Sequence, residues 1–466
     1  MKEKNQGITL IALIITIIIM LILVAVSISL ALNSGLFEKA GKATQEWQTA
    51  QDAEGELGAG KVNIGGTTYN SIEDYLTALN SLAPGKRADT DTDYTSNGKT
   101  AKIPAGFTVS GILNETTIDE GLVIYDIPSS VDTSSENFWT ETVTIGDQTY
   151  PKVQTEYNQF VWVPVETAYV KKSDLEKIIT DSDGSITTEK AAMQSLVDNG
   201  TYPMAVQLAN GTDYRGILYS FSAGTNGVKI EVRDFSTTAN YNDGSVTYWR
   251  EPAKLSSTNA SSVDQEKEPA LDLQTEYNNI VKSIASQKGF WVARYELSYS
   301  TKGESKRGKA VATAEDTNTN QWYGLYTACQ GMYPSSEITG MKSSMIYGSE
   351  WDQIMIWMKD VKNTQDNTKY YILDSSYMGN YNTETGGTGG PQVTGYLEKY
   401  SVKKVFDLGG NLNDWTTEAY DALNRVLRGN RYGSNGSSSP ASRRYILIPT
   451  ITYSFSSARS ALYVTL

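Results

Sequence analysis

The stretch Val405 to Leu466, VFDLGGNLNDWTTEAYDALNRVLRGNRYGSNGSSSPASRRYILIPTITYSFSSARSALYVTL, decides how the rest of the chain is read. Its first third sets apolar and aromatic residues between Gly and Asn turns. A short strand is predicted at Arg425-Val-Leu-Arg428-Gly429, and an alternating one at Ser460 to Val464. Between them, residues 430–457 run through Ser, Asn, Arg, Tyr, Thr and Ile with no period of 2 or 3.6, which predicts a surface loop. A long irregular loop inside a compact domain is usually functional.

That loop is rich in groups suited to recognition. Asn430, Arg431, Tyr432, Ser434, Asn435, Ser437 and Ser438 lead into Arg443, Arg444, Tyr445, Ile446, Leu447 and Ile448, and then Thr450, Tyr453, Phe455 and Ser456. Rigid aromatics give contact area at low entropic cost, and small polar residues give adaptable hydrogen bonds, as in a paratope. Exposed Ile-Leu-Ile needs a reason, and at least one of Ile446 and Ile448 is expected to turn inward. From Asp421 onward six arginines (425, 428, 431, 443, 444 and 459) face a single acid, while the whole chain carries -13. Arg428 and Arg459 read as framework. Arg431, Arg443 and Arg444 read as exposed groups favouring an acidic partner.

The whole chain has 466 residues, 39% of them hydrophobic, enough for two or three domains with a real core. The net charge argues against nucleic acid as a partner. There is no histidine and one cysteine, Cys329, so an intramolecular disulfide and a His-based metal site are both ruled out.

At the N-terminus, residues 1–7 (MKEKNQG) precede 25 uncharged residues, Ile8 to Leu32. A helix of that length spans a bilayer of roughly 30 Å. The segment looks like a type IV prepilin signal, which implies cleavage between Gly7 and Ile8 by a prepilin peptidase and an apolar anchor kept on the mature chain. Lys2 and Lys4 predict a cytoplasmic N-terminus and an extracellular remainder on a single-pass cell-membrane protein. The fifth residue after the cleavage point, usually Glu in pilins that assemble, is Ala12. That departure puts assembly with pilus subunits in doubt. A plain anchor that is never processed is the alternative.

Residues 33–57 predict a helical stalk, with Phe37, Ala40 and Trp47 as apolar contacts. Residues 58–100 predict a small helical and linker region, in which Ile72, Tyr75, Leu76 and Leu79 form an amphipathic helix and Asp89 to Lys99 a linker. Strand-like alternation begins at Lys102 and recurs at Gln159 to Val165. Tyr202 to Trp249 reads as an insertion of hairpins and loops. Leu273 to Ser286 is helical in pattern and runs into Gly289 to Leu297. Ser349 is expected to cap a helix with Trp351, Ile354, Met355 and Met358 on one face.

These pieces carry a resemblance. Pro104-Ala105-Gly106-Phe107, the Gln159 to Val165 strand, Gly289 to Leu297, Glu350-Trp351, Phe406 to Asn411, Asp414-Trp415-Thr416, Arg425 to Gly429 and Ala458-Arg459 stand in the order of the formylglycine-generating enzyme family. The resemblance implies an α+β class, with a C-type-lectin-like domain over residues 101–466 behind the transmembrane, pilin-like helix. With Pro440-Ala441-Ser442, Pro449 and Ala461-Leu462-Tyr463, the frame also resembles the target proteins of diversity-generating retroelements. There, adenine randomisation of AAY codons never yields Lys, Glu, Gln, Met or Trp, and none of these occurs from Gly429 to Tyr463.

The family's oxidase chemistry needs paired cysteines, and its iron-dependent relatives need histidines; this chain lacks both. Asp407 and Asp414 read as turn and cap acids rather than as an acid-base pair. Some relatives bind structural calcium near the loop, which would draw on Asn411 and Asp414; no other cofactor is expected. The reading is a surface-anchored, non-catalytic receptor or adhesin for a protein or other surface ligand, with loop 430–457 diversifiable. The alternatives are a minor type IV pilin and, with far less behind it, an oxidase.

Overall fold

The computed structural model describes residues 15–23, 62–64, 67–69, 71, 82–135, 137–175, 189–233, 250–313, 321–333 and 340–465. Two compact units divide the chain, residues 1–79 and 80–466. In the first, residues 15–23 are helical. Val62–Ile64 and Thr67–Tyr69 form an antiparallel hairpin where a helical or linker segment was expected. Among the described residues no helix is long and apolar enough to cross a membrane. Gly7, Ile8, most of the 8–32 span, the 33–57 stalk and the amphipathic helix at Ile72 to Leu79 lie outside them.

The second unit is mixed α+β, with many strands and few helices. Its centre is a six-stranded sheet built from β1 (Thr108–Val109), β2 (Val123–Tyr125), β3 (Gln159–Pro164), β4 (Gly289–Ala293), β5 (Met341–Met345) and a strand from the far end of the chain, Ser460–Val464. That last strand, β10 below, lies between β5 and β4. It pairs Ser460 with Met345 on one side and Leu462 with Trp291 on the other. The order is β5-β10-β4-β3-β2-β1, antiparallel throughout.

Because successive side chains on a strand point to opposite faces, the sheet feeds two cores. Val123, Tyr125, Val161, Val163, Phe290 and Val292 enter one, and Ile124, Phe160, Trp162, Trp291 and Leu462 the other. Both faces are covered, so these strands read as nearly continuous apolar runs.

The first core is closed by a helix predicted from its pattern, Leu273–Gln287 (α2; α1 is Glu189–Asp198). Asp272 accepts the Thr275 N–H at its N-terminus. Leu273, Tyr277, Ile280, Val281 and Ile284 form the buried face, and Lys288 ends the helix in a left-handed conformation (φ 62°). The next residue must be glycine, because a Cβ on Gly289 would collide with the Trp162 ring. Helix α3 (Gln321–Gln330) lies in the second core through Trp322, Leu325 and Cys329. Helix α4 (Gly348–Trp357) buries Trp351, Ile354 and Met355 in the first, on the face expected. Its N-cap is Tyr347 and not Ser349: Glu350 accepts the Tyr347 N–H at 2.8 Å, while the Ser349 hydroxyl is bonded to Tyr277.

A second sheet carries the C-terminal stretch. It comprises β6 (Asn413–Ala419), β7 (Arg425–Arg428), β8 (Tyr445–Leu447) and β9 (Ser456–Ala458), in the order β8-β7-β6-β9, with only the β6–β9 pair parallel among these. The strand predicted at 460–464 is present as read, and the one at 425–429 stops a residue early. The loop predicted over 430–457 is interrupted by β8 and ends in β9, so it is a strand-bearing excursion.

One further expectation is corrected. Asp89 to Lys99 is no linker: Thr92–Ser96 pairs with Lys99–Ile103, and Tyr94 is buried in the second core. The 202–249 insertion, as far as it is described, adds a strand Ala205–Gln207 between Tyr169–Lys171 and Tyr214–Gly216, plus a hairpin Tyr219–Gly224/Gly227–Val232.

Candidate functional site

The loop rises from a root that fixes its backbone. Gly429 sits at φ +79°, where a Cβ would lie 2.9 Å from the Leu408 carbonyl, and Asn430 follows at φ 61°. The Gly429 carbonyl accepts the Gly410 N–H (2.9 Å), and the Asn411 carbonyl accepts the Tyr432 N–H (2.9 Å). The buried Tyr381 hydroxyl lies 3.1 and 3.0 Å from the carbonyls of Gly429 and Ser439, bracing both ends of the first arch.

The middle of the loop rests on residues 374–390, a segment to which no role is assigned by sequence pattern. The Ser375 N–H donates to the Gly436 carbonyl (3.0 Å), the Ala441 N–H to the Ser375 hydroxyl (2.9 Å) and the Asn382 N–H to the Ser434 carbonyl (2.9 Å). Trp351 Nε1 of α4 donates to the Ala441 carbonyl (3.1 Å). The signal for this platform was its run of Gly386, Gly387, Gly389 and Gly390 beside Tyr377, a non-glycine held at φ 66° and 39% exposed.

Arg444 overturns an expectation. It was placed on the surface, yet its side chain is 4% exposed and lies within an ion-paired knot. Its Nε lies 2.8 Å from Glu418, its Nη2 2.6 Å from Asp352, and its Nη1 donates to the Tyr219 carbonyl. Arg428 reaches the same acids, Asp352 at 2.9 Å and Glu418 at 3.7 Å. The sharing is unequal. Arg444 is bonded along its whole fork and its pKa is raised. Arg428 leaves Nε and Nη1 without hydrogen-bond partners, and burial, aided by the Arg444 charge, pulls its pKa down to about 10.

Arg425 and Arg459 are likewise interior. Arg425 pairs with Glu268 (2.6 Å) and stacks over Trp322. Arg459 holds Asp414 (3.2 Å) and donates to the carbonyls of Ala293 and Phe406. Four of the six C-terminal arginines are therefore internal, and the basic excess read from the sequence is mostly neutralised inside. Ser456 is corrected too: it is buried and bridges Trp415 Nε1 and the Tyr453 carbonyl.

What remains outside forms two patches. Arg431 lies over the Phe455 ring (4.2 Å), and Phe455 packs edge-on with Tyr432 (5.7 Å) and Tyr453 (5.4 Å), joining the loop's two ends in one aromatic cluster. The other patch is β8, with Tyr445 47% and Ile446 36% exposed, preceded by the exposed Arg443. Ser437 and Ser438 are exposed, while Asn430, Ser434, Asn435, Ile448 and Thr450, like the four members of the aromatic cluster, are half-buried. Asn430 and Asn435 spend their side-chain oxygens on local turns. Leu447, half-buried, packs on the second core, so the residue that turns inward from Ile-Leu-Ile is the middle one.

Beneath the root, Glu296, Asp407 and Asp414 are buried around Arg459, and burial raises all three carboxyl pKa values, with repulsion from neighbouring carboxylates adding to it at Glu296 and Asp407. Of the groups suggested for calcium, the Asn411 side-chain oxygen is committed, accepting from Asn380 and from the Gln392 N–H, and Asp414 pairs with Arg459 through Oδ2 while its buried Oδ1 has no hydrogen-bond partner. Among the described residues no cluster of three or more acidic, Cys or His groups has metal-binding geometry. Cys329 is buried, which pushes its thiol up to about 12.

No protein-family model matches the chain, and no curated protein matches it. Among solved structures, Treponema denticola variable protein 1 is similar at 11% identity and a TM-score of 0.23, over 54% of this chain and 96% of that one.

Proposed function

We propose that this chain is a ligand-binding protein whose C-terminal loop is a diversifiable recognition surface of the kind that diversity-generating retroelements act on. It is held on a C-type-lectin-like domain of the formylglycine-generating enzyme type. The observation that carries the reading is the division of labour within one loop: Arg443, Tyr445 and Ile446 are exposed and Arg431, Tyr432, Tyr453 and Phe455 form a half-buried cluster that reaches the surface, while the backbone beneath them is pinned by glycines, buried hydroxyls and ion-paired arginines. The absence of Lys, Glu, Gln, Met and Trp from 429–463 supports it. Recognition without catalysis fits a lone, buried and unreactive cysteine and a chain without histidine. Membrane anchoring through residues 8–32, with processing at Gly7, completes the proposal and leaves the domain facing outward toward a protein or other surface ligand.

The test is deep sequencing of the gene's 3′ end across a cell population. Substitutions concentrated at codons for the outward residues, with Arg428, Gly429, Pro440, Arg444 and Pro449 constant, support the reading. Substitutions spread evenly over loop and frame, or a loop as uniform as its upstream neighbour, count against diversification. A display library randomised at the seven outward positions tests binding itself. Selection of folded binders to arbitrary protein targets is expected, and general misfolding would defeat the proposal.

A further inference from the structure

A cavity of about 720 Å³ opens elsewhere on the second unit, and the loop supplies none of its lining. Its walls come from the end of α4 (Gln353, Ile356 and Trp357), the end of β3 (Trp162 and Pro164) and the hairpin turn at Lys403. In size it falls within the roughly 300–1,000 Å³ of small-molecule sites.

Its charge runs against the rest of the chain. Four lysines, Lys99, Lys288, Lys359 and Lys403, line it with two acids, Asp119 and Glu166, in a protein of net charge -13. Lys99 is paired with Asp119 (2.5 Å), and Lys359 with the outlying, 80% exposed Asp360 (2.6 Å), a pair that solvent makes weak. Lys288 is exposed at the rim.

Lys403 is placed there at a conformational cost. Val402 and Val405 pair across a two-residue turn in which Lys403 (φ 47°) and Lys404 (φ 66°) are both left-handed. Such turns favour Asn-Gly, because a side chain at positive φ costs about 1–2 kcal/mol per residue. Nothing in the hairpin itself calls for lysines. The turn is further accommodated by Gly121 (φ +104°), where a Cβ would strike the Lys403 carbonyl. The result is an ammonium group 4.7 Å from the Trp357 ring centre, donating to the Asp119 carbonyl at 2.7 Å and half-buried in the wall. Backbone strain of this kind is concentrated at functional positions.

From this geometry we infer a second ligand site, specific for a carboxylated saccharide such as a uronic-acid oligomer. The lining pairs apolar faces (Trp357, Ile356, Pro164) with hydroxyl and amide groups (Thr100, Tyr202, Gln353) and point cations. A sugar ring bearing a carboxylate offers a C–H face, hydroxyls and one charge per ring, which matches all three. A phosphate would be served better by arginine's bidentate fork, and no arginine lines the cavity. This site stands independently of the loop.

The test is titration of the full-length protein with an oligogalacturonate, its methyl ester and an oligoglutamate of equal charge, followed by tryptophan fluorescence and calorimetry. The acid saccharide is expected to bind with a tryptophan response and to weaken with salt. The ester and the oligoglutamate are each expected to bind about 10-fold or more less tightly. Lys288→Asn with Lys359→Gln, one exposed and the other partly exposed and paired only with the exposed Asp360 (asparagine tolerates the left-handed backbone at 288), should weaken the saccharide by about 10-fold at unchanged thermal stability. Tyr445→Ser in the loop should leave it unaltered. No saccharide binding, equal affinity for the ester or the oligoglutamate, or indifference to the lysine pair would each overturn the assignment.

Discussion

Arg443 and Arg444 are neighbours in sequence and belong to different regions of the molecule. One lies on the exposed rim, its Nη1 satisfied by the Ser438 carbonyl 2.7 Å away. The other enters a closed frame with Asp352, Glu418 and Arg428. The rim is made of side chains bonded locally or stacked on one another. The frame is made of side chains bonded to residues far away in sequence. A change on the rim is felt only where it occurs, whereas a change in the frame leaves a buried charge without its counter-charge.

The largest effect that contrast predicts is at Arg444. Arg444→Ala leaves Arg428 as the one arginine in the knot for both Asp352 and Glu418 in a dry interior and should cost about 3–5 kcal/mol, read by denaturant unfolding; a loss under about 1 kcal/mol would put Arg444 on the rim after all. Arg443→Ala beside it should stay within about 0.5 kcal/mol.

Next comes pH. Burial raises Glu251 to about 7 and Glu350 to about 8, and raises Glu296, Asp407 and Asp414 as well. A carboxyl whose folded pKa exceeds its unfolded value of about 4 holds its proton more tightly in the native state. Its contribution is complete below the unfolded value and is lost as pH climbs through the folded one. Melting temperature should therefore fall from about pH 5 to about pH 8, and Asp407→Asn should flatten the slope. A rise over that window would show that Arg459 outweighs burial in the cluster.

Gly429→Ala should cost about 1–3 kcal/mol, since it combines a left-handed backbone with the Leu408 carbonyl in the way of its methyl group. The smallest effect is expected at the outward aromatics. Tyr445→Ser should move stability by about 0.5 kcal/mol or less, and Tyr453→Ser, which also gives up the packing of its half-buried ring on Phe455, by about 1 kcal/mol, while each removes contact area from any ligand. A large loss at either would join that residue to the frame.

Much of this frame was legible in the sequence. The β3, β4 and β10 strands announced themselves by apolar runs and alternation, α2 by its apolar face, and Arg428 and Arg459 by their place in the family-like motif. Other features had no local signature. Arg444 reads like Arg443, because what separates them is Asp352, 92 residues away. Ser456 reads like Ser437, and its burial depends on Trp415 across the sheet. The first strand of the hairpin 92–103 looks like a linker because it is Thr, Asp and Ser around one large buried ring, Tyr94. Short-range pattern records burial of a face, and it is silent about partners supplied by distant chain.

The position of Arg444 limits how far the loop can vary. If adenines in a template drive variation, a frame residue inside the varied window survives only if its codon offers no adenine to the process. That condition dictates a nucleotide choice: Arg444 should be written CGC, CGT or CGG, whereas Tyr445, at the next codon, carries in either of its codons the adenine that lets it change.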